Sequence, residues 1–192
     1  MKGTILSLCD FTGNWSRPYS EAGYEVLRVD IKLGVDLRLM PIPETRVHGI
    51  LAAPPCTHFA RSGAPHWKSK GEPQLLDGLS VVDACLRFVA ICRPNWWALE
   101  NPIGRLKTYL GEPAFRFDPC DFGDPWTKRT WLWGNFTPPH VPALALALAS
   151  LAYPRRYHDE IARKGPAILN ARGIRPCILP GQSITKPEGV VR

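Results

Sequence analysis

Residues 49–63 read Gly-Ile-Leu-Ala-Ala-Pro-Pro-Cys-Thr-His-Phe-Ala-Arg-Ser-Gly, a short apolar run that stops at two prolines and leads into a cysteine. Residues 50–53 predict a buried strand, which ends at the prolines because proline donates no hydrogen bond to a neighbouring strand. Cys56 therefore follows the carboxyl end of a strand, where open α/β sheets bind their ligands. It is a nucleophile if nearby positive charge, such as that of Arg61, favours its thiolate, and otherwise a small buried side chain.

The composition predicts a single folded domain with a basic surface. The chain has 192 residues, of which 45% are hydrophobic and 21% charged, so it can bury a core and is not a disordered chain. Its net charge of +7 favours a polyanionic partner, with nucleic acid the first candidate, although ordinary basic enzymes share such a balance.

The cysteines indicate a reduced cytoplasmic protein without a structural metal. Six cysteines are spread along the chain, with no Cys-x-x-Cys pair and no Cys/His cluster at zinc-ligand spacing. We expect them to be free thiols, as in cytoplasmic proteins. The first residues hold too short an apolar run for a signal peptide, and the apolar stretch 141–152 is too short to cross a membrane. No membrane contact is therefore expected.

Residues 4–30 follow the plan of a nucleotide-binding βαβ unit. A strand is predicted over 4–8, and after a turn and a short helix a second strand over 24–29 ends at Asp30. An acid in this position hydrogen-bonds ribose hydroxyls in such units. The turn after the first strand contains only Gly13 of the usual glycines, so the spacing favours nucleotide binding while the composition of the turn does not.

Beyond Cys56 the sequence predicts a basic loop, a long helix and another strand. Residues 57–73 mix cations with glycines and prolines, and predict either a mobile loop that closes over a polyanion or a plain solvated loop. Residues 74–92 have the apolar spacing of a helix. The strand predicted over 96–99 delivers Glu100, which is either a structural acid with a partner or a group that reads or protonates a ligand.

The chain after Glu100 predicts two more short strands, over 115–117 and 131–133. Lys128 and Arg129 precede the second of them. These cations hold a phosphate or a base edge, or are ordinary surface charges.

The last part of the chain changes in composition. Residues 141–150 are apolar and predict a helix, and the residues after 153 are basic and polar without a strong period. We predict a catalytic domain over 1–153 and a basic segment over 154–192. That segment completes the fold, contacts nucleic acid or forms a poorly ordered terminus.

In this order, the segments resemble those of the cytosine carbon-5 DNA methyltransferases. The family's nucleophile motif, Pro-Pro-Cys-Gln-x-Phe-Ser-x-Ala-Gly, is similar to Ala53-Pro-Pro-Cys-Thr-His-Phe-Ala-Arg-Ser-Gly63. Its Glu-Asn-Val motif is similar to Ala98-Leu-Glu-Asn-Pro102, and its Pro-Gln-x-Arg-x-Arg segment to Asp121-Phe-Gly-Asp-Pro-Trp-Thr-Lys-Arg-Thr130. Its cofactor motif, centred on Phe-x-Gly-x-Gly, is similar to Leu6-Ser-Leu-Cys-Asp-Phe-Thr-Gly-Asn-Trp-Ser16. The resemblance spans residues 4–137.

The resemblance implies a Rossmann-like methyltransferase fold, α/β with a mostly parallel sheet flanked by helices, that binds S-adenosyl-L-methionine. In that family the catalytic cysteine adds to carbon 6 of a flipped cytosine, so that carbon 5 becomes nucleophilic. Cys56 would be that cysteine, Glu100 would hydrogen-bond the amino group and ring nitrogen 3, and Lys128 and Arg129 would steady the base or its phosphate. The implied cofactor contacts are Asp10, Phe11, Gly13, Trp15, Asp30, Asp36 and Pro54. The implied substrate contacts are Pro55, Phe59, Arg61, Ser62 and Asn101.

Several positions depart from the family's pattern. Trp15 and Ser16 stand where the cofactor turn has glycines, while Trp126 and Thr130 replace a glutamine and an arginine. The family's final motif has only Gly181-Gln-Ser-Ile184 as an echo.

The chain after residue 137 is too short for the family's large target-recognition domain. Either the enzyme reads little sequence, or a partner protein or a second copy of the chain supplies recognition, or the substrate is smaller than duplex DNA.

From the resemblance we predict methylation of carbon 5 of cytosine in DNA. The alternatives are the same chemistry on a free pyrimidine nucleotide or RNA, and a catalytically silent module that binds nucleic acid.

Overall fold

A six-stranded sheet forms the centre of the protein. The structure, a computed structural model, describes residues 2–122, 126–138 and 175–176. The strands are β1 (Thr4–Leu8), β2 (Glu25–Val29), β3 (Val47–Ala52), β4 (Trp96–Pro102), β5 (Phe115–Phe117), β6 (Trp126–Thr127), β7 (Thr130–Gly134) and β8 (Arg175–Pro176). The α-helices are α1 (Arg17–Glu21), α2 (Trp67–Cys92) and α3 (Lys107–Leu110). The main sheet has the order β2-β1-β3-β4-β7-β5, and β6 pairs with β8 in a separate ribbon.

The main sheet is mixed: it is parallel over β2, β1, β3 and β4, as predicted for most of the sheet, and only β7 runs in the opposite direction. β2, β1, β3 and β4 run parallel to their neighbours, whereas β7 pairs antiparallel with both β4 and β5. A parallel neighbour requires a crossover connection, usually a helix. The described residues between β5 and β7 contain only a 3₁₀ turn and the short strand β6, so the chain returns beside β4 in the opposite direction. The predicted α/β class is confirmed.

The predicted strands all form, and their limits shift by a few residues. The strand at 4–8 is observed as predicted, whereas the strand predicted over 50–53 is Val47–Ala52 and the one predicted over 96–99 continues to Pro102. Leu6, Ile50 and Leu99 are fully buried in neighbouring strands. The apolar runs in the sequence are therefore the centre of the sheet.

Residues 57–73 are largely helical rather than a loop. Cys56–His58 and Arg61–His66 are 3₁₀ turns, and α2 begins at Trp67 instead of 74. The backbone is non-helical at Gly71, where φ is 73° and ψ −179°, so a kink there separates the first turn of α2 from the rest of the helix. Beyond the kink, α2 packs against the sheet through Phe88 and Cys85, which are fully buried.

Backbone hydrogen bonds join the turns after Cys56 to the segment that follows β4. The Arg61 N–H donates to the carbonyl oxygen of Ile103 at 2.8 Å, and the Arg105 N–H donates to that of Phe59 at 2.9 Å. Gly104 lies against this contact and forms an isolated bridge with Ala60. Because the two segments are paired in this way, the positions of Cys56 and of the end of β4 are set together.

Two side chains strengthen this connection. Asn101 is fully buried, and its Nδ2 donates to the carbonyl oxygen of Pro54 at 2.9 Å. The Arg105 Nε donates to the carbonyl oxygen of His58 at 2.7 Å, while its guanidinium stacks 4.5 Å from the centre of the Trp67 ring. Hydrogen bonds to buried carbonyls such as that of Pro54 each contribute about 1 kcal/mol.

Several predictions fall on residues outside the described ranges. The helix at 141–150 and the boundary between domains at residue 153 lie there, as does the echo of the final motif at 181–184. Among the described residues no helix is long and apolar enough to cross a membrane.

Gly104→Ala is expected to destabilise the protein by about 1–3 kcal/mol. The added Cβ would lie 1.9 Å from the carbonyl oxygen of Phe59, a backbone atom that cannot move aside as a side chain could. Gly63→Ala is the matched control, since its Cβ would meet nothing closer than the Thr57 oxygen at 3.5 Å. Denaturant unfolding of both variants measures the difference. Equal stability of the two would contradict the close contact between the segments.

Candidate active site

One cavity of about 550 Å³ opens at the carboxyl ends of the parallel strands. Six residues that the sequence singled out line it, namely Asp10, Phe11, Trp15, Asp30, Pro55 and Glu100. The other lining residues are Cys9, Thr12, Ile31, Lys32, Ala53, Thr57, Phe117, Thr130 and Leu132. The cavity therefore extends from the βαβ unit to Glu100 and to Pro55 and Thr57, the two neighbours of Cys56, whereas Cys56 itself does not line it.

Asp10 organises the turn that follows β1. The hydroxyls of Ser7 and Ser16 both donate to its Oδ2 at 2.7 Å, and the Gly13 N–H donates to its Oδ1 at 2.8 Å. Ser16, one of the residues that replaces an expected glycine, is thus a partner of this buried carboxylate. Gly13 itself does not line the cavity, and its positive φ of 71° serves the turn.

Trp15, the other replacement of a glycine, forms part of the cavity wall. Its ring packs with Phe117 and Leu132 in a small apolar cluster. Phe117 belongs to β5 and Leu132 to β7, so the tryptophan connects the turn after β1 with the antiparallel edge of the sheet. The larger side chain gives this turn an apolar wall where the family pattern has bare backbone.

Asp30 and Phe11 form the end of the cavity nearest β2. Asp30 follows β2, and its Oδ1 accepts a hydrogen bond from the Lys32 N–H at 2.8 Å. The Phe11 ring is 47% exposed, with the Lys32 ammonium 5.1 Å from its centre. An open aromatic face beside a carboxylate is suited to a heterocycle that carries a sugar.

Asp36 is not part of the cavity. Its carboxylate pairs with Arg38 at 2.7 Å, and Arg38 also pairs with Asp77 on α2 at 2.7 Å. The hydrogen bonds from Arg38 lower the pKa of Asp36. Asp36 therefore belongs to a surface ion-pair network.

Cys56 and Glu100 meet because their strands are neighbours. Ala52, the last residue of β3, pairs with Leu99 on β4, so Glu100 projects just beyond the end of β3, beside the prolines that precede Cys56. The two side chains are close enough that the charge of Glu100 raises the pKa of Cys56. The topology thus brings together a thiol and a carboxyl from separate sequence motifs.

Burial and two lysines set the protonation of Cys56. Burial is the largest influence and raises the pKa of the thiol. The positive charges of Lys128 and Lys70 oppose it, whereas the carboxyl of Glu100 adds to it. Attack by the sulfur therefore depends on positive charge near it, because the thiolate is the nucleophilic form.

Glu100 is half-buried and lines the cavity. Burial raises its pKa, and the charge of Lys128 partly offsets this. Its Oε1 is buried with no hydrogen-bond partner in the protein. A carboxyl in this environment favours its neutral form, which can donate one hydrogen bond and accept another from a bound ring.

Lys128 and Arg129 differ in the groups that their charges affect. Lys128 acts on both Cys56 and Glu100 through its charge, as the two pKa shifts indicate. Arg129 is 62% exposed and its Nε lies 3.6 Å from Asp118. Neither cation lines the cavity, and of the two only Lys128 affects Cys56 and Glu100 through its charge.

The predicted substrate contacts divide into surface and core. Pro55 is exposed at the cavity, whereas Arg61 and Ser62 are exposed on a 3₁₀ turn away from its lining. Phe59 and Asn101 are fully buried. Both side chains pack inside the protein and support the turn that carries Cys56, and the substrate contacts predicted for them stay predictions.

Pro54 likewise supports the turn. It is buried, does not line the cavity, and its carbonyl oxygen accepts the hydrogen bond from Asn101. The direct cofactor contact predicted for it is therefore not observed.

The sequence analysis missed several residues of the cavity wall. Thr57 follows Cys56 directly, and its proximity to a predicted nucleophile was an available signal. Thr130, Leu132 and Phe117 come from antiparallel strands whose position beside β4 no local pattern indicated. Thr130 is buried and its hydroxyl donates to the Lys128 carbonyl at 2.8 Å, so it shapes the segment that presents Lys128.

The described residues contain no group of three or more histidine, cysteine or acidic side chains that could hold a metal ion. The polar groups at the cavity suit an organic ligand instead, because carboxyl, hydroxyl and aromatic groups are spaced along its length.

Glu100→Gln is expected to stabilise the protein more at neutral pH than in acid. The folded state holds the Glu100 proton at a higher pH than the unfolded chain, so unfolding free energy falls as pH rises from the ordinary glutamate value through the raised pKa. Glutamine removes this loss. Denaturant titrations of both proteins at about pH 4 and about pH 8 measure the change.

Glu112→Gln provides a control of opposite sign. The hydrogen bond and charge of Lys107 lower the pKa of the exposed Glu112. Replacing this carboxylate by glutamine should therefore reduce the free energy of unfolding at neutral pH and have little effect in acid. A Glu100→Gln protein that is no more stable than wild type at neutral pH would contradict the burial of an ionisable carboxyl.

The comparisons with known proteins identify a fold. No protein-family model matches the chain, and no curated protein matches it significantly. Among solved structures, it is similar to the crystal structure of a protein assigned as a DNA modification methyltransferase, encoded within an E. coli prophage. The TM-score is 0.50 at 15% sequence identity, over 68% of this chain and 45% of that one. The chain thus spans less than half of its structural neighbour and shares its fold.

Proposed function

We propose that the protein transfers a methyl group from S-adenosyl-L-methionine to carbon 5 of cytosine in DNA, through a covalent bond to Cys56. The observation that carries this proposal is the position of Cys56 between Pro55 and Thr57, which line the same cavity as Glu100 and the βαβ unit, within reach of the charges of Lys128 and Glu100. The fold shared with the methyltransferase structure supports the same conclusion.

The cavity suits the proposed cofactor in its dimensions and its polar groups. A volume of about 550 Å³ lies in the range of small-molecule sites. Phe11 would cover the adenine, and Asp30 would accept hydrogen bonds from the ribose hydroxyls. Bound S-adenosyl-L-methionine would supply an electrophilic methyl group at the end of the cavity nearest Glu100.

Cys56 would make the cytosine nucleophilic. Its sulfur adds to carbon 6 of the ring, and the electron pair of the carbon 5–carbon 6 double bond shifts so that carbon 5 can take the methyl group. Loss of the carbon 5 proton then allows the sulfur to leave. The charge of Lys128 favours the thiolate needed for the first step, against the burial that opposes it.

Glu100 would bind the edge of the ring that becomes more negative during the addition. Its raised pKa favours the protonated carboxyl, which donates to ring nitrogen 3 while the unpartnered Oε1 accepts from the amino group. This pair of hydrogen bonds fits cytosine and does not fit uracil, whose nitrogen 3 is itself a donor.

The net charge of +7 favours DNA over a free nucleotide, because phosphate groups attract counter-charges along the duplex. The buried end of the cavity requires that the target cytosine leave the base stack. Recognition of flanking sequence would come from residues beyond this site, from a partner protein or from a second copy of the chain.

Cys56→Ser is expected to reduce methyl transfer to DNA by at least about a thousandfold, because serine is not ionised near neutral pH and its hydroxyl is a poor nucleophile. Cys92→Ser is the matched control, since this half-buried thiol is the last residue of α2, at the opposite end of the helix from Lys70 and its contact with Thr57. Transfer of radiolabelled methyl groups to DNA measures both, and melting temperatures establish that each variant is folded. A fully active Cys56→Ser protein would exclude the covalent route.

The labelled product identifies the site of methylation and the substrate. Digested DNA should contain 5-methylcytosine, and parallel reactions with RNA and with free deoxycytidine monophosphate should incorporate less label. Methylation of the cytosine amino group or of adenine would refute the proposal. Preferred labelling of RNA or the free nucleotide would retain the chemistry and change the substrate.

A further inference from the structure

Lys70 reaches the turn that carries Cys56, although it belongs to none of the motifs described above. Its Nζ donates to the carbonyl oxygen of Thr57 at 2.9 Å. Thr57 follows Cys56 in the chain and lines the cavity. The lysine is half-buried, and its hydrogen bond to Thr57 lies at the solvent-exposed surface.

A kink in α2 gives Lys70 this position. The next residue, Gly71, has φ 73° and ψ −179°, values that side-chain-bearing residues rarely adopt. The first turn of the helix, Trp67–Lys70, is therefore set at an angle to the rest of α2. Arg105 holds the same turn by stacking on Trp67 while its Nε donates to the carbonyl oxygen of His58.

We propose that Lys70 is a positioning residue for the reactive sulfur: it fixes the Thr57 carbonyl and stabilises the Cys56 thiolate with its charge. This inference rests on the proposed role of Cys56 as nucleophile. It assigns the kinked first turn of α2 a part in the site, alongside the segment before β7 that presents Lys128.

The electrostatic surroundings of Cys56 support this role. Three charged groups on separate elements act on the sulfur: Glu100 from β4, Lys128 from before β7 and Lys70 from α2. Burial is the largest influence and raises the pKa of Cys56, Lys128 lowers it, Glu100 raises it, and Lys70 lowers it by less than Lys128 does. Because the Cys56 sulfur is partly buried, the loss of the Lys70 charge from the adjoining turn should still disfavour the thiolate.

The alkylation rate of Cys56 by iodoacetamide, followed across alkaline pH by mass analysis of the Cys56 peptide, tests the proposal. In this reaction the thiolate forms a carbon–sulfur bond and iodide leaves, so the rate follows the thiolate fraction. Lys70→Met should move the midpoint of the pH profile upward and slow alkylation near neutral pH by about three- to tenfold. Lys70→Arg should retain the wild-type profile.

Two further variants separate charge from structure. Lys68→Met removes a positive charge from an exposed position on the same helical turn, and should leave the profile unchanged. Lys70→Gln can still donate to the Thr57 carbonyl but carries no charge, so it should shift the midpoint as Lys70→Met does. It also keeps the test decisive if Lys70→Met does not fold.

An unchanged midpoint in Lys70→Gln would overturn the proposal, and so would equal shifts in the Lys68 and Lys70 variants. The measurement needs neither cofactor nor DNA. A protein that fails to methylate any substrate would therefore leave this result intact, and an unshifted profile would leave methyl transfer by Cys56 standing.

Discussion

The site depends on the attachment of the turn carrying Cys56 to the end of β4. Asn101 binds the Pro54 carbonyl, and the segment around Gly104 pairs with the backbone near Phe59. A thiol and a carboxyl that act on one ring must be held within a fraction of an ångström of the reactive geometry. Here their separation is set by paired backbone and a buried amide, which cannot change rotamer without leaving a buried polar group unsatisfied.

The second constraint is the balance between burial and positive charge. Burial raises the pKa of both Cys56 and Glu100, which favours a neutral thiol and a neutral carboxyl. The proposed chemistry needs the carboxyl neutral and the thiol ionised. Lys128 affects both groups and Lys70 affects Cys56, so a second lysine beside the sulfur shifts the balance toward this pair of protonation states. Burial thus favours the neutral carboxyl that the chemistry needs at Glu100. At Cys56 burial opposes the thiolate, so nearby positive charge must offset it.

The elements that the sequence predicted well are those determined by local patterns. Apolar runs ending in Pro54 and in Glu100 gave the strands, and their parallel order followed from the βαβ spacing. The position of β7 between β4 and β5 had no local signature, and with it Thr130 and Leu132 were missed as cavity residues. Glycine and proline suggested a loop at 57–73, but the tertiary contacts of Trp67 and Lys70 hold this segment as kinked helix. The sequence could not reveal the ion pair of Asp36 with Arg38, and the predicted contact of Asp36 with the cofactor stays a prediction.

The proposed methyl transfer requires a covalent bond between Cys56 and cytosine. Its most direct test is incubation of the protein and S-adenosyl-L-methionine with DNA containing 5-fluorocytosine, followed by denaturing mass analysis. Fluorine cannot leave carbon 5 as a proton does, so the account predicts a stable adduct that carries the DNA and one methyl group on the Cys56 peptide. Binding of the cofactor without any such adduct, in DNA that the protein does methylate when fluorine is absent, would contradict it.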